Sequence, residues 1–123
     1  MQVKQFEIWN ISFDPSLGQE IKKTRPALVI SNSYYNLASG TIFVISLSSQ
    51  KPKIENSPFH TKLSANKKNK LKKDSYTNIS QLRAVSKLRF IKKVGECESQ
   101  IIETLMKQFF QIIDIDILQL KYF

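Results

Sequence analysis

The feature that most constrains this chain is a change of period at Gly95. Before it, apolar residues come in short runs rich in β-branched and aromatic side chains, separated by turn residues. After it, they recur at helical spacing. Ala27 to Ile30 is apolar at every position, which marks a strand buried on both faces, and Thr41 to Leu47 is a second apolar, β-branched-rich strand. Phe6/Ile8 and Ile11/Phe13 are two period-two pairs within residues 3–13, with an irregularity expected near Asn10. Trp9 falls on the face opposite Ile8 and needs cover from a second element. Short strands are also expected at Phe59 to Leu63, Ser75 to Ser80, Leu82 to Val85 and Arg89 to Val94, with Gly95 ending the last. Residues 98–113 carry two adjacent apolar stripes, Ile101/Leu105/Phe109/Ile112 and Ile102/Met106/Phe110/Ile113. About six strands followed by one helix make a mainly β fold, a small barrel or curled sheet capped by that helix.

One domain is expected over residues 1–123. The single Cys97 cannot form an internal disulfide, so a reducing cytoplasm is the expected setting. One Cys and one His leave almost no basis for a Cys/His zinc site, and no metal or other cofactor is expected. No apolar run is long enough to span a membrane, and the first residues lack the apolar core of a secretory signal.

The formal charge is +9, and its placement is lopsided. Residues 1–93 hold 17 Lys/Arg against 5 Asp/Glu, a balance of +12; residues 94–123 hold 2 against 5, a balance of −3. A basic body of this kind implies a polyanion partner, nucleic acid being the usual one. Lys67 to Lys73 is read as a solvated loop that adds long-range attraction for phosphate.

The pivotal stretch is Lys22-Lys23-Thr24-Arg25-Pro26, which leads into the Ala27–Ile30 strand. Pro26 suits only the start of a strand and holds Arg25 extended. An arginine at a strand mouth presents a planar, charged fork that fits phosphate oxygens. Pairing of Arg25 with Glu20 or Asp14 is an equally open reading. Ser48 ends the next strand, beside a basic loop containing Lys51. His60, the single histidine, is read as a hydrogen-bonded structural residue. There is no Gly-x-Ser-x-Gly elbow, no glycine-rich phosphate loop and no pair of carboxylates with metal-ligand spacing. RNA cleavage by the RNA's own 2′-OH needs none of these. Arg25 is a candidate to stabilise the extra negative charge, Ser48 to donate a hydrogen bond, and Glu20 to accept the 2′-OH proton.

Glu7-Ile8-Trp9, Phe13-Asp14-Pro15, Gly18-Gln19-Glu20 and Thr24-Arg25-Pro26-Ala27-Leu28-Val29-Ile30-Ser31-Asn32 together resemble the MazF/PemK family of toxin endoribonucleases. The likeness continues through Ser48 and Gln81-Leu82-Arg83 to the C-terminal helix. It implies an SH3-like barrel of the CcdB/MazF type, a homodimer, and cleavage of single-stranded RNA to 2′,3′-cyclic phosphate and 5′-OH ends. It also implies a cognate antitoxin covering the RNA groove. By motif position it makes Arg25, Ser48 and Glu20 catalytic, and it places Lys22, Lys23, Thr24, Gln50, Gln81 and Arg83 against RNA. Phe6 stands where the family commonly has Gly, which bears on the first turn. Two other classes compete: a CcdB-like gyrase-binding poison and an inactive RNA-binding barrel. CcdB-type activity depends on a C-terminal Trp-Gly-Ile, where this sequence has Lys121-Tyr122-Phe123.

Overall fold

A computed structural model describes residues 1–13, 24–54 and 56–114. Seven strands, β1 (Glu7–Ser12), β2 (Thr24–Val29), β3 (Thr41–Ser46), β4 (His60–Leu63), β5 (Ser75–Asn78), β6 (Arg83–Ser86) and β7 (Phe90–Glu96), accompany two helices, α1 (Ser33–Ala38) and α2 (Ser99–Ile113). Five strands pair in the order β6-β3-β2-β1-β7, and β4-β5 form a separate hairpin. The hairpin joins the sheet through Ser48 and Tyr76, whose backbones exchange hydrogen bonds of 3.0 and 2.7 Å. The mainly β architecture with a C-terminal helix follows the sequence reading. The described strands make five plus two, without pairing into one continuous ring.

Both faces of the sheet are covered, so β1 and β2 bury side chains on both sides. Ile8, Leu28 and Ile45 pack with Leu63, Ile79, Ile102 and Leu105 beneath the hairpin and α2. Trp9, Ala27, Val29 and Val44 pack on the other face with Val85 and Phe90, and the Trp9 and Phe90 rings meet edge to face at 5.8 Å. Phe90 and its neighbours are therefore the cover that Trp9 requires. The β1–β7 register slips at Ile8/Trp9 and at Asn10/Ile11, which is the expected irregularity.

Three local features shape the fold. Helix α1 follows directly on β2, and the Asn32 side chain caps it by accepting from the Tyr35 N–H at 2.8 Å. β7 runs through Gly95 instead of stopping there, and the missing side chain leaves room for the Lys68–Asn69 backbone. On α2 burial follows neither stripe but the line between them. Ile102 and Leu105 are buried, whereas Met106, Phe110, Ile112 and Ile113 are exposed. Gln108 is also buried there, donating to the His60 carbonyl at 3.2 Å and accepting from the Thr61 hydroxyl at 3.2 Å.

The first turn survives the loss of its glycine. Glu7 N–H donates to the Lys4 carbonyl at 3.2 Å, and Phe6 adopts a φ of 77°. That angle is the third position of a type II turn, where glycine is favoured. Phe6 meets the cost by packing on the core, and its carbonyl accepts from Cys97 N–H at 2.8 Å. Glu7 is buried just after the turn. Its carboxylate accepts from Lys4 N–H at 2.8 Å and from the Trp9 indole at 3.0 Å, and Lys93 lies 3.1 Å away.

Candidate active site

The β2–β3 register builds the site. Ala27 faces Ser46 and Val29 faces Val44. Pairing continues past the end of β3, where Leu47 N–H donates to the Pro26 carbonyl at 2.9 Å. Pro26 has no N–H to return, so the ladder loosens there. One residue further, the same register sets Arg25 opposite Ser48. Residues directly opposite in an antiparallel pair hold their Cβ atoms about 5 Å apart. The Ser48 backbone is pinned to Tyr76 on one side, and its Oγ accepts from Gln50 N–H at 3.1 Å. Among the described residues, nothing takes up the Ser48 hydroxyl proton, which can be donated outward.

Arg25, Ser48 and Gln50 line two adjoining hollows. The larger, about 660 Å³, runs from Asn10 and Pro26 to Lys70, Lys72 and Lys73. The smaller, about 360 Å³, is walled by Lys51, Lys53, His60, Tyr76 and Gln81. Arg25 and these five lysines are exposed, and no Asp or Glu is among the described lining residues. The described walls are thus cationic and rich in hydrogen-bond donors, a chemistry suited to a polyanion. Among the described residues, no group of three His, Cys, Asp or Glu side chains is placed to hold a metal ion.

Of the residues singled out in the sequence, Arg25, Ser48 and Gln50 come together, and Gln81 joins them across the smaller hollow. Thr24 and Arg83 line neither hollow, and the Arg83 guanidinium stacks 5.3 Å over the Phe13 ring. Glu20, Lys22 and Lys23 lie outside the described residues. The structure adds His60, Tyr76 and the Lys70/Lys72/Lys73 group. His60 Nδ1 lies 2.8 Å from Ser57 Oγ, as a structural histidine would, yet its ring also borders the smaller hollow. Tyr76 reaches the site through the Ser48 bridge, a pairing between distant residues that no local pattern announces.

The described geometry defines a small, mainly β protein with a cationic groove at one end of its central strands. Comparison with known proteins gives the family. A family model described as PemK-like, MazF-like toxin of type II toxin-antitoxin system matches residues 4–113. "Endoribonuclease MazF9" of Mycobacterium tuberculosis is 32% identical over 98 residues, which is 76% of this chain and 80% of that protein. The chain belongs to the PemK-like, MazF-like toxin family. MazF from Deinococcus radiodurans superposes with a TM-score of 0.73 at 19% identity, covering 94% of this chain and 99% of that one. A structure titled endoribonuclease in complex with its cognate antitoxin, from mycobacterial species, gives 0.70 at 14% identity, covering 93% and 97%. At such identities these two likenesses speak for the fold.

Proposed function

We propose that this chain is an endoribonuclease toxin that cuts single-stranded RNA without a metal ion and is neutralised by a cognate antitoxin. The observation that carries the reading is that Arg25 and Ser48 together line both of two adjoining cationic hollows. The RNA's 2′-oxygen attacks the adjacent phosphorus. A P–O2′ bond forms, the P–O5′ bond breaks, and the products are a 2′,3′-cyclic phosphate and a 5′-OH. Glu20 acts as the base that accepts the 2′-OH proton, and the departing 5′-oxygen takes up a proton from solvent water. Arg25 balances the charge that grows on the phosphoryl oxygens, usually the largest catalytic effect. Ser48 donates a hydrogen bond from its hydroxyl to a phosphate oxygen or to the leaving oxygen. Gln50 and Gln81 offer amide groups to splayed bases, and Lys22, Lys23, Thr24 and Arg83 extend contacts with RNA. The active form is a homodimer in the cytoplasm. The antitoxin lies over the same groove and competes with RNA.

The test is incubation of purified protein with a mixed-sequence RNA in EDTA, followed by analysis of the cut ends. Discrete cuts ending in 2′,3′-cyclic phosphate, lost in Arg25→Ala, support the reading. Binding without cuts identifies an inactive RNA-binding barrel instead.

A further inference from the structure

We propose that Lys70, Lys72 and Lys73 form a preset rail for RNA backbone phosphates, extending the RNA footprint beyond the scissile position. The proposal rests on the reading of the groove as an RNA site. The segment between β4 and β5 was expected to be a solvated charge run, but its backbone is tightly specified. Asn66 and Asn69 cap each other: Asn66 N–H donates to Asn69 Oδ1 at 3.0 Å, and Asn69 N–H to Asn66 Oδ1 at 2.8 Å. The Asn69 side chain is buried, donates to the Ser64 carbonyl at 2.8 Å, and accepts from Leu71 N–H at 3.0 Å. Lys70 follows with a φ of 56°, a left-handed residue inside this turn.

The loop is also clamped to the sheet. Glu96 N–H donates to the Lys68 carbonyl at 3.1 Å, and the Asn69 carbonyl sits where a Cβ on Gly95 would be, 2.3 Å from its position. Asp74, the acid nearest in sequence, is engaged elsewhere. It accepts from Ala65 N–H at 2.8 Å and lies 3.6 Å from Lys62. Among the described residues, the ion pairs found leave Lys70, Lys72 and Lys73 to the hollow they share with Arg25 and Ser48. A charged wall whose backbone is already ordered loses less conformational entropy when it binds.

The neighbouring Lys67 and Lys68 supply the control. Both are exposed on the same loop, and neither lines the hollow. The experiment measures KM and kcat for cleavage of a mixed-sequence RNA across a series of KCl concentrations. It compares wild type with Lys72→Ala/Lys73→Ala and with Lys67→Ala/Lys68→Ala. Each phosphate contact to a single strand contributes about 0.7 to the slope of log affinity against log salt. The Lys72/Lys73 pair is expected to flatten the slope by about 1.4 and to raise KM roughly 25-fold near 0.1 M salt, with kcat unchanged. The Lys67/Lys68 pair is expected to leave the slope near that of wild type. Equal effects of the two pairs mean diffuse attraction and overturn the rail. An unchanged slope in Lys72→Ala/Lys73→Ala, with wild type cutting RNA, also overturns it and leaves these lysines to a protein partner. No cutting by wild type overturns the RNA reading and the rail together.

Discussion

Gly95→Ala is a sharp test of how the basic loop is held. Gly95 has an ordinary φ, so the requirement is for space and not for backbone freedom. A Cβ there would lie 2.3 Å from the Asn69 carbonyl oxygen and 2.8 Å from that of Lys68. Both neighbours are backbone atoms, so no side chain can swing aside. Restoring ordinary contact needs a shift of about 1 Å in the loop or in β7, and overpacking of this kind costs about 1–3 kcal/mol. Moving the loop also weakens the Glu96–Lys68 backbone bond and the buried Asn69 bonds, at about 1 kcal/mol each. Alanine stiffens the unfolded chain, which returns about 0.4–1 kcal/mol. The net expectation is a loss of roughly 2–4 kcal/mol, or about 10 °C in Tm for a domain of this size. Urea and thermal denaturation followed by circular dichroism measure it, with an unchanged m-value showing that the surface exposed on unfolding is the same. A Gly95→Ala protein that melts within about 2 °C of wild type would refute the close approach and, with it, the clamping of the loop.

Other perturbations probe separate parts of the molecule. Burial pushes the Glu7 carboxyl up, but hydrogen bonds from Lys4 N–H, the Trp9 indole and Lys93, together with the Lys93 charge, outweigh it and hold the group below its ordinary value of 4.5. A depressed carboxyl adds stability above its unfolded pKa, and that stability fades as pH falls through the folded one. Wild type should therefore lose stability below about pH 4.5, and Glu7→Gln should lose about 1–3 kcal/mol at pH 7 with a flatter acid limb in urea melts. Burial raises the Cys97 thiol to about 12, so iodoacetamide should leave it unmodified in the native protein and label it in urea, as mass spectrometry would show. Asn69→Ala removes buried partners of Ser64 and Leu71 and should lower Tm while raising KM for RNA more than it lowers kcat. Ser48→Ala should cut kcat about 100-fold with little change in KM, whereas Ser48→Thr, which keeps the hydroxyl, should retain most activity in the same RNA assay.

The strands were legible because β-branched runs and turn residues are local signals, and the helix because its apolar spacing is. Arg25 stood out because Pro26 fixes where a strand can begin, and Ser48 because a strand visibly ends there. What the sequence hid depends on long-range placement. Helix α1 rests on an asparagine cap, a single-residue signal lost beside Tyr34 and Tyr35. On α2 the buried Ile102 and Leu105 share their apolar stripes with the exposed Met106, Phe110, Ile112 and Ile113, and only the position of the hairpin separates them. The lysine run looks like solvated charge until Gly95, more than twenty positions away, is seen against the Asn69 carbonyl. Gly95 itself looked like a strand breaker for the same reason. The role of Glu20 rests on family resemblance, since the residue lies outside the described structure.

The most direct test is single-turnover cleavage of a mixed-sequence RNA in EDTA by wild type, Arg25→Ala and Arg25→Lys, with the 5′ and 3′ ends of the products characterised. Attack by the 2′-OH with Arg25 at the phosphate predicts discrete cuts ending in 2′,3′-cyclic phosphate and 5′-OH, a rate reduced at least about 100-fold in Arg25→Ala, and partial activity in Arg25→Lys. Cleavage at wild-type rate by Arg25→Ala, or products ending in 5′-phosphate, would contradict it.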